Sequence, residues 1–138
     1  MMLISTNCRS LVLDFLKKIR SIDANFNTVI APNFSCKSAL EPYFVLNFQI
    51  LFYDVVDCQP DEQEIIKHMQ SKPNSTVLWI NYFGTNDLSD NLRLKIRENN
   101  TYLHLDYAQC LPSEKIKPAR NEFLTYSLRK INIANAAI

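Results

Sequence analysis

Two hydrophobic rhythms alternate along the chain. Short apolar runs at residues 28–31, 49–54, 76–80 and 102–105, and a last one from Phe123, read as buried strands. Between them the apolar positions recur at helical spacing. Leu11, Val12, Phe15, Leu16 and Ile19 mark a helix over 9–20 behind the capping candidates Ser5, Thr6 and Asn7. A second helix is predicted over 36–46, a third over 61–70 with an acidic first turn that suits the helix dipole, and a fourth from the caps at 87–90 to Asn99, with Leu92, Leu94 and Ile96 available for its apolar face. Pro32 stops the first strand. Pro42 falls inside the second helix and predicts a bend or a later start, because an interior proline costs ~3 kcal/mol. Residues 55–60 read as a plain connection. This alternation predicts an α/β fold: a three-layer sandwich around a mostly parallel sheet, with 76–80 as its central strand.

Glycine changes the picture most. The chain has one, Gly84, where about nine or ten would be usual. Asparagine tolerates the left-handed region better than other residues, so Asn47, Asn99 and Asn100, each where a helix hands over to a strand, are predicted to act as C-caps in its place.

With 138 residues the chain makes one domain or part of one, and its 47% hydrophobic content suffices for a core. A net charge of +1, from 15 basic and 14 acidic residues, gives no reason to invoke nucleic acid or an anionic membrane. No apolar run approaches the ~20 residues of a membrane span, and the N-terminus lacks the pattern of a signal peptide, so a cytoplasmic location is expected. Cys8, Cys36, Cys58 and Cys110 lack metal-ligand spacing and are expected to be reduced, mostly buried thiols. His68 is expected to face solvent and His104, between Leu103 and Leu105, to be a core or sheet-face residue. The mixed charges of the loop 110–122 read as a solvated face.

Candidate chemistry gathers at strand ends. In open α/β sheets ligands bind beyond the carboxyl ends of the strands, and there Asp106, Gln109, Ser127 and Lys130 would meet. A lysine in a partly apolar site readily loses its proton and can form a Schiff base. A carboxylate on the neighbouring strand end could pair with a pyridinium nitrogen, the combination that a pyridoxal 5'-phosphate (PLP) enzyme needs. Taken alone, Asp106 also reads as a strand-end carboxylate capping the next turn.

Five segments, in order, carry a resemblance. Asp106-Tyr-Ala-Gln109 resembles the D-x-A-[QH] motif, and Ser127-Leu-Arg-Lys130 the S-x-x-K lysine segment, of fold-type I PLP-dependent enzymes of the DegT/StrS sugar-aminotransferase group. Asn81-Tyr-Phe-Gly84 resembles that family's H-x-F-G segment, Ala31-Pro-Asn-Phe-Ser-Cys36 its P-x-F-T-x segment, and Cys8-Arg-Ser10 the G-[RT]-S turn that opens its first large-domain helix. The resemblance implies a PLP-transferase large domain over 1–138, incomplete, with the N-terminal arm and C-terminal small domain absent. It implies transamination through a Schiff base on Lys130, with a small-molecule amino donor and a keto substrate, often a nucleotide-linked sugar, in a homodimer. Asp106 would hold the ring nitrogen protonated, Gln109 would bond the ring hydroxyl, Ser127 and the helix start at Arg9 and Ser10 would bind the phosphate, and Cys36 would lie over the ring.

The departures are specific. Cys8 stands for the family's common glycine, Asn81 for its usual histidine, and Asn135-Ala136-Ala137 for the glycine pair after the lysine. Arg9 and Ser10 also suit an ordinary amphipathic helix start, and Cys36 a structural thiol. Two alternatives follow: a truncated, catalytically inactive aminotransferase-like fragment, and a PLP-dependent dehydratase or lyase on the same scaffold. A flavodoxin-like nucleotide-binding module is a third rival, but no Gly-rich phosphate loop supports it.

Overall fold

A computed structural model describes residues 8–110 and 118–127. Its elements alternate as the apolar pattern predicts: α1 (Cys8–Ile22), β1 (Thr28–Pro32), α2 (Lys37–Val45), β2 (Gln49–Tyr53), β3 (Val55–Val56), β4 (Gln59–Pro60), α3 (Glu62–Ser71), β5 (Ser75–Ile80), α4 (Asp90–Glu98), β6 (Tyr102–Asp106) and β7 (Glu122–Thr125). Five strands form one parallel sheet in the order β2-β1-β5-β6-β7, so the strand over 75–80 is central. Every residue of β1 and β5 is buried, which is why these segments are apolar runs rather than alternating ones.

The two faces of the sheet are read off by period two. On one face Val29, Ala31, Leu78 and Ile80 pack with Val12, Leu16 and Ile19 of α1 and Leu40 and Tyr43 of α2. On the other, Ile30, Val77, Trp79, Leu103 and Leu105 pack with Ile65 and Met69 of α3 and Leu92 and Ile96 of α4. These are the three layers expected. No helix among the described residues is long and apolar enough to cross a membrane.

All three predicted cap asparagines stand at helix ends, two of them in the left-handed region. Asn47 (φ 54°) and Asn100 (φ 52°) occupy the left-handed region just past α2 and α4. In each case this residue's amide and the next one bond back to the last helical turn: Asn47 to Phe44 and Phe48 to Tyr43, then Asn100 to Arg97 and Thr101 to Ile96. Asn99 is the C-cap residue of α4, as expected, but at φ −86° it leaves the left-handed conformation to Asn100.

Other expectations are corrected. Residues 55–60 form a small hairpin, β3–β4, turning through Asp57 (φ 51°) and Cys58 (φ 62°) without a glycine. Pro42 lies mid-helix and buried, inside the helix that starts at Lys37. Leu94 is exposed, and the buried positions of α4 are Leu92 and Ile96 alone. His68 does not simply face solvent: its Nε2 lies 3.0 Å from the Phe52 carbonyl on the outer strand β2. Glu122 is not part of a solvated face. Its carboxylate is buried at the start of β7 beside Arg93 (3.4 Å) and Arg97 (3.5 Å) of α4. All four cysteines are free thiols, but none is fully buried, and Cys36 is exposed.

Candidate functional site

The strand order dictates where a crevice must open. From β1 the chain passes through α2 on one face to β2, and from β5 through α4 on the other face to β6, so the loops after β1 and β5 part above the sheet. A cleft of about 340 Å³ lies there. Phe34, Ser35, Cys36 and Ala39 come from the loop after β1 and the start of α2; Ile80 and Tyr82 from the end of β5; Asp106, Ala108 and Gln109 from the end of β6. Small-molecule sites begin at about 300 Å³ and are mostly apolar with a few placed polar groups, which this lining matches.

Asp106 ends β6 opposite Ile80 on one side and Thr125 on the other. Its Oδ1 accepts the Ala108 amide at 2.8 Å, which turns the chain so that Gln109 also reaches the cleft. Cys36 is the N-cap of α2 by backbone, but its side chain makes no capping bond; its sulfur lies 3.1 Å from the Ser38 hydroxyl. Tyr82 donates its hydroxyl to the Phe34 carbonyl and its ring lies 5.7 Å from that of Phe34, so the two loops are tied across the cleft. Burial, with smaller effects from Cys58, Asp106 and Cys36, pushes the Tyr82 phenol well up, leaving it a neutral donor.

The loop after β5 is held rigidly. Buried Asn86 takes the Tyr82 amide (2.7 Å) on its side-chain oxygen and donates to the Ile80 carbonyl (3.2 Å). Asn81 is buried and donates to Asp87 at 3.2 Å. A second, more open hollow of about 360 Å³ lies beyond this loop, and Gln109 borders both. Cys110, on its wall, has its thiol pushed up mainly by burial and is a weaker nucleophile than an ordinary cysteine.

Of the residues singled out from sequence, Asp106, Gln109 and Cys36 line one cleft. Ser127 lies two residues past β7, the strand beside Asp106. The Cys8 thiol donates to the Tyr126 carbonyl at 3.0 Å, which seats the first turn of α1, with Arg9 and Ser10, beside that strand end. The Arg9 guanidinium is spent on an exposed ion pair with Glu41. Lys130 lies outside the described residues. No group of His, Cys, Asp and Glu among the described residues could hold a metal ion.

The cleft lining suits an aromatic ring with a positive charge: Ile80, Ala39 and Phe34 give it apolar walls and the Asp106 carboxylate a counter-charge. The start of α1, held beside the end of β7 by Cys8, presents backbone amides of the kind that suit an anion. Nothing in the sequence alone marks Phe34, Tyr82 and Ala39 as lining residues. Phe34 and Tyr82 sit inside the segments that carry the resemblance, but nothing local in the sequence says that these segments face each other.

No family model and no curated protein matches the chain. Solved structures do. The PLP-bound C-S lyase from Staphylococcus hominis superposes with a TM-score of 0.67 at 12% identity, over 96% of this chain and 41% of that one. Sphingosine-1-phosphate lyase from Burkholderia pseudomallei gives 0.59 at 18% identity, over 72% and 24%. A DegT DnrJ EryC1 StrS aminotransferase from Brucella abortus gives 0.56 at 15%, over 71% and 29%. The matched region is thus between 24% and 41% of the length of these three proteins. What the likeness establishes is the fold: an α/β sandwich of the kind found in the large domain of PLP-dependent transferases.

Proposed function

We propose that the chain carries the cofactor-binding part of a PLP-dependent enzyme that transfers an amino group to a keto substrate, with a nucleotide-linked keto sugar as the class of acceptor that the motifs favour. The observation that carries this reading is the cleft at the switch point, where Asp106 and Gln109 share one cavity with Cys36 on the fold that PLP enzymes use. PLP, when bound, supplies the electron sink for a carbanion next to nitrogen. Asp106 would present a carboxylate to the ring nitrogen and favour its protonated form. Gln109 would hydrogen-bond the ring hydroxyl, and Cys36 would cover a ring face. Ser127 and the backbone at Arg9 and Ser10 would hold the phosphate. Lys130 would be the amine that holds the cofactor and the base for the substrate's α-proton.

A lyase reaction on the same residues stands beside this reading, supported by the two lyases among the structural neighbours. Exposed Phe34, Val56 and Phe83 lie in segments that follow β1, β2 and β5 and support a homodimer that closes over this edge. Four free thiols support a cytoplasmic setting.

The test is direct. The purified chain is mixed with PLP, its visible absorbance recorded, the adduct reduced with borohydride and the label mapped by peptide mass. A yellow band with label confined to Lys130, lost in Lys130→Ala and shifted towards the unprotonated form in Asp106→Asn, is expected. No band, or label scattered over many lysines, overturns the reading. Amino donors and keto acceptors added to the loaded protein then separate transamination from elimination.

A further inference from the structure

A chain of three buried polar side chains runs beneath the cleft, and none has a role in the reading above. His104 is 2% exposed, and its ring stacks on Phe123 with centroids 4.3 Å apart and planes 14° from parallel. Its Nδ1 lies 2.8 Å from the Tyr43 hydroxyl and its Nε2 3.0 Å from the Thr125 hydroxyl. A neutral imidazole has one donor and one acceptor nitrogen, and hydroxyls can serve either, so this pairing is satisfied at both ends. Polar groups buried here instead of aliphatic ones gain nothing from burial itself, and their bonds act as fixed connections between the elements that carry them.

Two of those elements line the cleft, and the third, β7, pairs with the strand that carries Asp106. Tyr43 is on α2, whose N-cap Cys36 and first-turn Ala39 form one wall. His104 is on β6, two residues before Asp106. Thr125 is on β7, in register with Asp106 and two residues before Ser127, and its carbonyl takes the Tyr107 amide at 2.9 Å. We propose that His104 is a positioning residue: its bonds to Tyr43 and Thr125 hold the α2 wall and the β6 strand that carries Asp106, braced by β7, in one arrangement, so that ligand affinity in the cleft, and not stability alone, depends on them. This rests on the PLP reading.

The test uses near-isosteric variants of the whole chain, each removing one bond: Tyr43→Phe and Thr125→Val, with Thr125→Ser as the conservative rescue. PLP is titrated by absorbance at a temperature where circular dichroism finds each variant fully folded. Each of the first two should weaken PLP binding about tenfold, Thr125→Ser should recover to within about twofold of the wild type, and the double variant should be no weaker than about the worse single one, because the bonds act as a unit. The ring 15N signals of His104 should also move when PLP is added to the wild type. Unchanged PLP affinity beside a lowered Tm overturns the proposal and leaves His104 a role in the fold only. A wild type that binds no PLP overturns the cofactor reading, and this proposal with it. Should Tyr43→Phe fail to fold, the Thr125 pair decides alone.

Discussion

His104 makes the stability of this fold depend on acidity, with a sign and a window that follow from its burial. Burial lowers its pKa from 6.5 to about 3 in the folded chain. In the unfolded chain the ring titrates at its ordinary value. Between these two values the unfolded state binds a proton that the folded state refuses, so stability rises with pH across that window. The contribution is complete above about pH 6.5 and is lost as the pH falls towards 3. At 1.36 kcal/mol per pH unit, about 2 kcal/mol is gone by pH 5 and about 4 kcal/mol by pH 3, where the folded ring begins to titrate as well. Against a typical domain stability of about 5–15 kcal/mol, the first loss is readily measured and the second can unfold the chain. Urea denaturation of the wild type and of His104→Gln at pH 7.5, 6.5, 5.5 and 5 isolates the effect, since ordinary carboxylates stay ionised over most of this range and other groups cancel in the difference. The stability difference between the two proteins should shift by about 2 kcal/mol in the variant's favour from pH 7.5 to 5. A difference that stays constant to within about 0.5 kcal/mol would refute the reasoning, because it would mean that the folded ring accepts a proton as freely as the unfolded one.

Two further predictions concern features that stand apart from the cleft. Asn47→Ala and Asn100→Ala place a Cβ-bearing residue with little tolerance for φ > 0 in the turns after α2 and α4, and each should cost about 1 kcal/mol in chemical denaturation, whereas glycine at either position should be tolerated. Replacing both Arg93 and Arg97 by alanine strands the buried Glu122 carboxylate and should cost about 3 kcal/mol; Glu122→Met, which removes the buried charge itself and leaves two partly exposed arginines, should cost clearly less. Equal losses in thermal unfolding would argue against an ion pair whose main effect is to neutralise a buried charge.

Much of the fold is legible in the chain because its central strands are covered on both faces, so that each is an apolar run bounded by polar turns. The amphipathic pattern of α1 names its buried residues Val12, Leu16 and Ile19 correctly. What escapes is structure that breaks local rules. The β3–β4 hairpin turns on Asp57 and Cys58, and no turn preference points to a cysteine at φ 62°. Glu122 escapes because a carboxylate among charged neighbours reads as solvated until α4 supplies two arginines from another part of the chain. In the cleft, Asp106 and Gln109 are legible from the rule that ligands sit at carboxyl ends of strands. Phe34 and Tyr82 are not, because the strand order, and not sequence distance, brings the loop after β1 to the loop after β5.

The distribution of left-handed residues separates the two edges of the sheet. Asn47, Asn74 and Asn100 each lead from a helix into the amino end of a strand, at β2, β5 and β6. These handovers use a residue that tolerates φ > 0, and they recur because each helix must reverse into the sheet. Among the described residues the other left-handed non-glycine positions, Asp57, Cys58 and Phe83, follow the carboxyl ends of β2 and β5, and Gly84 stands with them. A phenylalanine or cysteine in this region costs of order 1 kcal/mol or more and persists only where its surroundings over-determine it. Around Phe83 they do: Asn86 fixes the Tyr82 amide and the Ile80 carbonyl, and Thr85 bonds back to Tyr82. The amino edge is therefore built from tolerant turns, and the turn after β5 at the carboxyl edge is a constrained one. This constraint falls on the edge where the cleft opens, beside Tyr82, Asp106 and Gln109.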